Sequence, residues 1–207
     1  DQRGGASIAA YRLLKGLQDV EISAELIVHD KASDDTQVVG PKNVFCKTFG
    51  KILPFLDPLP KLRYPKRHRD AWSCNFLPNP CLSFSEFNQA DIVHMHWVGG
   101  GVVPTRALSK IYKPLVWTLH DSWPFTGGCH IPYECREYEN CCGNCPQLKS
   151  GKARDLSRLV WNLKAQTWGD RKIFVVAPSH WLASAANSSP LFRECPVTVI
   201  PNGLDVE

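Results

Sequence analysis

The sequence lacks the features that would assign it to a membrane-spanning, secreted or nucleic-acid-binding class. No run of about eighteen apolar residues occurs, so no transmembrane helix is predicted. The first residues, DQRGGAS, carry no basic and apolar leader, so no signal peptide is visible. The formal net charge of +4 is modest, which argues against a nucleic-acid binder but permits attraction to phosphates or to an anionic membrane.

The cysteines lack the regular spacing of a disulfide framework. The chain has nine of them, an odd number, and Cys46, Cys74, Cys81 and Cys195 are scattered. Disulfide-rich scaffolds belong to oxidising compartments, so this pattern favours a reducing one, and we expect a cytoplasmic protein. A hydrophobic content of 43% over 207 residues is sufficient for a large globular core.

Short apolar runs alternate with helical patterns along most of the chain. Apolar residues recur at helical spacing in 6–17, 106–111, 156–163 and 181–186. Continuous apolar runs predict buried strands at 24–28, 90–96, 115–119, 173–177 and 197–200. This alternation predicts an α/β fold, a Rossmann-like doubly wound domain with a mostly parallel sheet. Residues 48–80 and 120–150 interrupt the alternation, and we interpret them as insertions.

A Gly-Gly pair opens the first predicted helix, but no strand precedes it. In a doubly wound fold such a turn redirects the chain from the end of a strand into a helix. We therefore expect the native first strand to lie upstream of Asp1. A sheet without that strand exposes an edge, so the isolated chain is predicted to be marginally stable or self-associating.

Five cysteines lie between Trp117 and Pro146. Cys142 and Cys145 have the two-residue spacing that lets two thiolates reach one tetrahedral ion, with Gly143 permitting the tight turn. With Cys129 and Cys135 they would form a structural zinc site, for which Cys141 and His130 are possible substitutes, and reduced thiols or disulfides are the alternatives. A zinc ion held by four thiolates has no open position, so no catalytic metal is expected.

Histidines end two of the predicted strands. His120 follows the strand at 115–119 and precedes Asp121, where doubly wound folds place ligand-contacting side chains. The alternative is a partly buried histidine that only bonds the backbone. His94 and His96 alternate on one face of their strand, so at least one of them could simply pack within the fold. Gly4-Gly5 could present backbone N–H groups to a phosphate, or be a plain turn.

A basic run follows an apolar one within the first insertion. Lysines and arginines are frequent in 61–69, directly after the apolar string at 52–62. The two together are typical of a membrane-surface patch, and the alternative is a solvated loop. Prolines in the segment are expected to prevent one continuous amphipathic helix.

Motifs at both ends of the chain resemble one enzyme family. The sequence APSHW at 177–181, followed by VTVIPNGLD at 197–205, resembles the end of the first domain of a family 4 glycosyltransferase of the GT-B type. The Gly4-Gly5-Ala6 turn and DIVHMHW at 91–97 are similar to the early loop and middle strand of that family. The block at 120–128 and the CGNCP knuckle resemble the subgroup that builds exopolysaccharides such as colanic acid. The resemblance implies an amino-terminal domain at 1–200 and an interdomain linker starting at 201–207, without the second, donor-binding domain.

The resemblance also implies an activity and its residues. It implies retaining transfer of a sugar from a nucleotide-sugar to a glycan or lipid-linked glycan acceptor, without a catalytic metal. By this resemblance His120 is predicted to be catalytic, and Gly4, Gly5, His96 and Asp121 to bind substrate. The family holds its donor chiefly through a second domain, so this polypeptide alone is expected to be inactive or nearly so. The location expected from the scattered cysteines and the basic run at 61–69 is the cytoplasm, with peripheral contact to the inner face of the membrane.

Two other functions fit parts of the pattern. A zinc-dependent hydrolase would need an open metal position, against which the cysteine knuckle argues. A stand-alone zinc-stapled binding module would not need the crossing motif at 200–205, and a nucleic-acid module would favour stronger basic charge.

Overall fold

The computed structural model describes residues 4–82, 84–168 and 171–203. The last four residues of the predicted linker, 204–207, lie outside them. The α-helices are α1 (Gly5–Asp19), α2 (Val44–Leu56), α3 (Phe84–Gln89), α4 (Leu156–Trp168) and α5 (His180–Ser188). The strands are β1 (Leu26–Ile27), β2 (Val38–Val39), β3 (Val93–Met95), β4 (Leu115–Thr118), β5 (Ile173–Ala177) and β6 (Val197–Val199). Short 3₁₀ helices occupy Leu59–Arg63, Thr105–Lys110, Trp123–Phe125 and Glu137–Asn140.

Four strands form one parallel sheet in the order β3-β4-β5-β6. Val93 pairs with Leu115, Leu115 with Ile173, and Val175 with Val197. β1 and β2 form a separate two-stranded parallel sheet. Parallel strands need crossover connections, which the intervening helices and loops supply. The prediction of an α/β fold with parallel strands is therefore confirmed.

The core lies around the centre of the larger sheet. Alternate β5 side chains, Ile173, Val175 and Ala177, are buried, as the strand period requires. Three tryptophans with no more than 1% exposure, Trp117, Trp123 and Trp168, surround one point with ring centroids 5.4 to 6.4 Å apart. Trp123 belongs to the second predicted insertion, so this insertion contributes to the core of the domain.

Helix α2 ends inside the first insertion, before the basic run. The prolines were expected to prevent one continuous amphipathic helix through 52–69, and this is confirmed: α2 ends at Leu56, with Pro54 in its last turn, and a separate 3₁₀ helix covers Leu59–Arg63. The helix starts where the Asn43 side chain accepts a hydrogen bond from the Cys46 backbone N–H at 2.8 Å. Pro54 has no N–H to donate to the Gly50 carbonyl, and the His29 ring donates a hydrogen bond to that carbonyl instead. The strand at 38–39 was not predicted, and the helix at 106–111 is a 3₁₀ helix.

A disulfide joins Cys46 in α2 to Cys81, 35 residues later. The interpretation of these two cysteines as scattered thiols without a framework was wrong, because the fold brings residues of distant sequence position together. Cys74, Cys129, Cys135, Cys141, Cys142, Cys145 and Cys195 are free. The bond weakens the inference of a reducing compartment, which remains a prediction.

An opening separates the two sheets. Among the described strands, β1 pairs with β2 alone and β3 with β4 alone. A cavity of about 440 Å³ lies between Leu26–Ile27 of β1 and His96 and Trp97 after β3. A further parallel strand would pair at this place, and the expectation of an upstream strand stays a prediction. Within the described residues no helix has the length and apolar character needed to cross a membrane.

Candidate functional site

Three histidines meet where β3 and β4 end. The Nδ1 atom of His96 lies 2.9 Å from Nε2 of His120, and the two rings stack with centroids 5.2 Å apart. His94 stacks on His96 at 4.7 Å, so both lie on one face as their alternation predicted. His94 Nε2 also lies 2.8 Å from the Thr118 hydroxyl. Neighbouring parallel strands therefore place all three imidazoles side by side at the carboxyl edge of the sheet.

These histidines are uncharged at neutral pH. Burial, together with the smaller effects of the neighbouring His94 and His120, lowers the pKa of His96 to about 3. Burial also lowers the pKa of His94 and of His120, although Asp121 opposes the effect at His120. Each neutral imidazole has one donor and one acceptor nitrogen, so a single proton serves the His96–His120 bond. Such a pair can hold a hydroxyl group but supplies no positive charge to a phosphate.

The cavity of about 440 Å³ connects this pair to the Gly-Gly turn. Gly4, Gly5, His96 and Trp97 all line it. Gly4 has φ +86°, a conformation that favours glycine, and it precedes the first turn of α1. The unpaired N–H groups of that turn and the helix dipole attract anions. His96 also lines a small pocket with His120 and Asp121. It therefore belongs both to the cavity of the Gly-Gly turn and to the pocket of His120.

Asp121 is held on both carboxylate oxygens by protein groups. Oδ1 accepts a hydrogen bond from the Trp123 backbone N–H at 2.8 Å. Oδ2 accepts one from Trp97 Nε1 at 2.8 Å and lies 2.6 Å from His130 Nδ1. These bonds fix the position of Trp97, which lines the larger cavity. Asp121 therefore holds the Trp97 ring in its position at the cavity wall.

His130 extends this connection into the interior. Its Nε2 atom lies 2.8 Å from the Ser73 hydroxyl, which accepts a hydrogen bond from the Gly100 N–H at 2.7 Å. The order Ser73–His130–Asp121 has the connectivity of a hydrolytic triad. Ser73 is only 2% exposed, however, so no substrate reaches its hydroxyl. Sequence reasoning proposed His130 as a substitute metal ligand, and this was wrong because both of its ring nitrogens are engaged.

A second buried group shapes the glycine loop after β3. Asn75 accepts a hydrogen bond from the Gly101 N–H at 2.9 Å and donates to the carbonyls of Val98 and Val103, each at 2.7 Å. Asp57 accepts from the N–H of Asn75 at 2.6 Å. Sequence reasoning missed Ser73, Asn75 and Asp57, since they lie in the segment interpreted as an irregular insertion. The polar run SCN at 73–75 inside a proline-rich segment was the only signal.

The four predicted zinc ligands come together. Cys129, Cys135, Cys142 and Cys145 all line one cavity of about 20 Å³, and none of them is in a disulfide. Cys142 and Gly143 have positive φ, which forms the tight turn between the two knuckle cysteines. Backbone N–H groups of Gln147 and Leu148 point to the Cys145 sulfur, and the N–H of Glu137 points to that of Cys135. Donors of this kind support thiolate ligands.

The sulfurs are not in a ready metal-binding arrangement. Across 4–82, 84–168 and 171–203, no group of three or more His, Cys, Asp or Glu side chains has the geometry of a metal site. Burial raises the pKa of Cys129 to about 12 and that of Cys145 to about 11, so both are neutral thiols without a metal. Cys141 does not line the cavity and is half-buried. The zinc site remains a prediction, with the four original cysteines as its ligands.

A buried lysine holds the loop that carries Asp121 and His130. Lys164 of α4 is 0% exposed and donates hydrogen bonds to the carbonyls of Trp123 and, at 2.9 Å, Thr126. Its ammonium lies 3.6 Å from the centroid of the Trp123 ring. Burial lowers its pKa to about 7, and negative charge on Cys142, Cys129 or Asp121 opposes this shift. Sequence reasoning assigned this lysine no role.

The comparisons with known proteins identify the family. The profile of Glycosyltransferase Family 4 matches residues 3–207. The chain belongs to glycosyltransferase family 4. Over 128 residues this family 4 chain is 31% identical to the putative colanic acid biosynthesis glycosyl transferase WcaC of Escherichia coli (strain K12). That alignment covers 56% of the chain but 30% of WcaC, so the chain matches less than a third of this relative's length. No solved structure matches the chain.

Proposed function

We propose that this chain is the acceptor-side domain of a retaining glycosyltransferase that transfers a sugar from a nucleotide-sugar to a glycan or lipid-linked glycan during polysaccharide biosynthesis. The observation that carries the proposal is the meeting of Gly4, Gly5 and His96 at one cavity, with His120 bonded to His96. Membership of the family and the identity to WcaC support the reaction class. The chain aligns with 30% of WcaC, and we assign the donor nucleotide chiefly to a second domain.

The roles follow from the chemistry of each group. Negative charge develops on the leaving diphosphate, and N–H groups at the start of α1 stabilise such charge without reorganising. His120 and His96 are neutral and adjacent, so they position sugar hydroxyls by hydrogen bonding. Asp121 keeps Trp97 against the cavity. No metal ion is required for any of these roles.

The test is a transfer assay on the protein together with any residues that flank these 207 in its gene. Nucleotide release is measured with a panel of nucleotide-sugars and a lipid-linked glycan fraction, and NMR of the product reports retention or inversion at the anomeric carbon. His120→Ala is expected to lower kcat by about 100-fold, in the range that a positioned side chain contributes. His68→Ala, at an exposed histidine, serves as the control. Absence of transfer with every donor, or equal activity of both variants, would refute the proposal.

We also propose that Cys129, Cys135, Cys142 and Cys145 hold a structural zinc ion. Their shared cavity and the N–H donors around Cys145 and Cys135 support this. The ion would staple the loop containing His130 and Asp121 and take no part in the reaction, because four thiolates leave no open position.

Metal analysis of protein purified under reducing conditions tests the zinc proposal. We expect one zinc ion per chain, loss of that zinc in Cys142→Ser, and its retention in the matched variant Cys195→Ser. Cobalt substitution would add the absorption of a cobalt–thiolate site. A metal-free protein whose four cysteines are alkylated, or paired in two disulfides by mass spectrometry, contradicts it.

A further inference from the structure

Helix α2 and the 3₁₀ helix after it expose an unusual concentration of large apolar side chains. We name the following six residues the apolar patch: Val44 (80% exposed), Phe45 (63%), Ile52 (46%), Phe55 (77%), Leu59 (48%) and Leu62 (57%). They all lie within nineteen residues of sequence, 44–62. Single exposed apolar residues are ordinary, whereas a contiguous set marks an interaction surface.

The patch occupies one side of α2. At about 100° per residue, Val44, Phe45, Ile52 and Phe55 fall within an arc of about 100°. Gly50 and Leu53, which are buried, lie on the opposite side of the helix. Helix α2 therefore has two apolar faces, one packed on the domain and one turned to solvent.

The charges around the patch are almost all positive. Lys47 and Lys51 lie beside the exposed arc of α2, and Arg63, Lys66 and Arg69 follow it. All five are exposed. Asp57 is the only acidic residue between 43 and 69, and it is 1% exposed because it accepts hydrogen bonds from the N–H groups of Cys74 and Asn75. The exposed charged side chains of 43–69 are therefore all positive.

We propose that this surface binds the face of an anionic lipid bilayer. The aromatic and aliphatic side chains of the patch would enter the boundary between headgroups and acyl chains, and the surrounding lysines and arginines would contact lipid phosphates. Charge complementarity favours this occupant. The five exposed cations match the phosphates of an anionic bilayer, whereas binding to an apolar protein surface would not need them. The disulfide from Cys46 to Cys81 fixes the helix to the domain, so α2 does not have to become ordered when the patch binds. The inference rests on this surface alone and is independent of the proposed reaction.

Vesicle flotation of the purified protein tests the proposal. Vesicles of phosphatidylcholine alone are compared with vesicles of phosphatidylcholine mixed with phosphatidylglycerol. We expect binding to the mixed vesicles only, with a steep loss of binding at high salt. Lys47→Glu combined with Lys51→Glu is expected to lower the partition coefficient by at least about thirtyfold. Each cation near the membrane surface contributes about 1 kcal/mol of binding free energy, and the double variant removes two of them.

Two further variants separate the membrane from other occupants. Phe45→Ser with Phe55→Ser is expected to abolish flotation, whereas Tyr112→Ser, at an aromatic side chain that is 83% exposed elsewhere, leaves it unchanged. Circular dichroism checks that each variant is folded. Two results would overturn the proposal. One is equal flotation of all variants or no flotation at all. The other is light scattering showing that the patch holds two copies of the chain together, with dissociation caused by the double phenylalanine variant.

Discussion

Replacing the buried lysine of α4, Lys164→Met, is expected to remove a pH dependence of stability. Methionine has a similar length and no charge, so it fills the same space. The pKa of Lys164 is lowered from 10.5 to about 7 in the folded protein by burial. Between these two values the unfolded chain binds the proton and the folded chain does not. The stability of the native protein therefore rises with pH in this window.

The size of the effect follows from the shift. A difference of about 3.5 pH units corresponds to about 5 kcal/mol in total, with a slope of about 1.3 kcal/mol per pH unit midway between the two pKa values. The variant loses the donor for the carbonyls of Trp123 and Thr126, a cost that does not vary with pH. The test therefore uses only how the difference in free energy of unfolding between the native chain and Lys164→Met changes with pH.

Urea unfolding followed by tryptophan fluorescence provides the measurement, because Lys164 lies over the Trp123 ring. The free energy of unfolding of the native chain is expected to rise by about 1.3 kcal/mol from pH 8 to pH 9 relative to Lys164→Met. A chelator is present throughout, since thiolates at Cys129 and Cys142 would raise the pKa of the lysine. Lys152→Met, at an exposed lysine, should follow the native profile. A constant difference between native and Lys164→Met would refute the reasoning.

Three further variants test other contacts. His130→Ala should cost about 2–4 kcal/mol in urea unfolding, because Asp121 and Ser73 lose their shared partner; a cost below that of exposed His68→Ala contradicts this. Gly143→Ala should cost at least about 2 kcal/mol, because Gly143 has φ +107° and an added Cβ would lie 2.4 Å from the Ala153 carbonyl oxygen. Gly151→Ala, where an added Cβ meets no atom within 4 Å, is the control and should cost less. Cys81→Ser should cost about 3–4 kcal/mol without reductant, and no cost means that the disulfide is absent.

The histidine site shows how far sequence reasoning extended. Strand ends are readable from apolar runs, so the positions of His96 and His120 at the carboxyl edge of the sheet were predictable. That the two rings are bonded depends on β3 and β4 being neighbours in the sheet, which no local pattern states. Ser73 and Asn75 were not predictable, because their roles exist only through contacts with residues 18 or more positions away.

The sequence by itself determined the alternation of strands and helices, the glycine turn before α1 and the motifs of family 4, because each depends on residues close together in the chain. The tertiary structure alone decided three things: the pairing of Cys46 with Cys81, the link from Asp121 through His130 to Ser73, and the exposure of one face of α2. The physical reason is that burial, hydrogen bonding and exposure depend on which distant segments pack together.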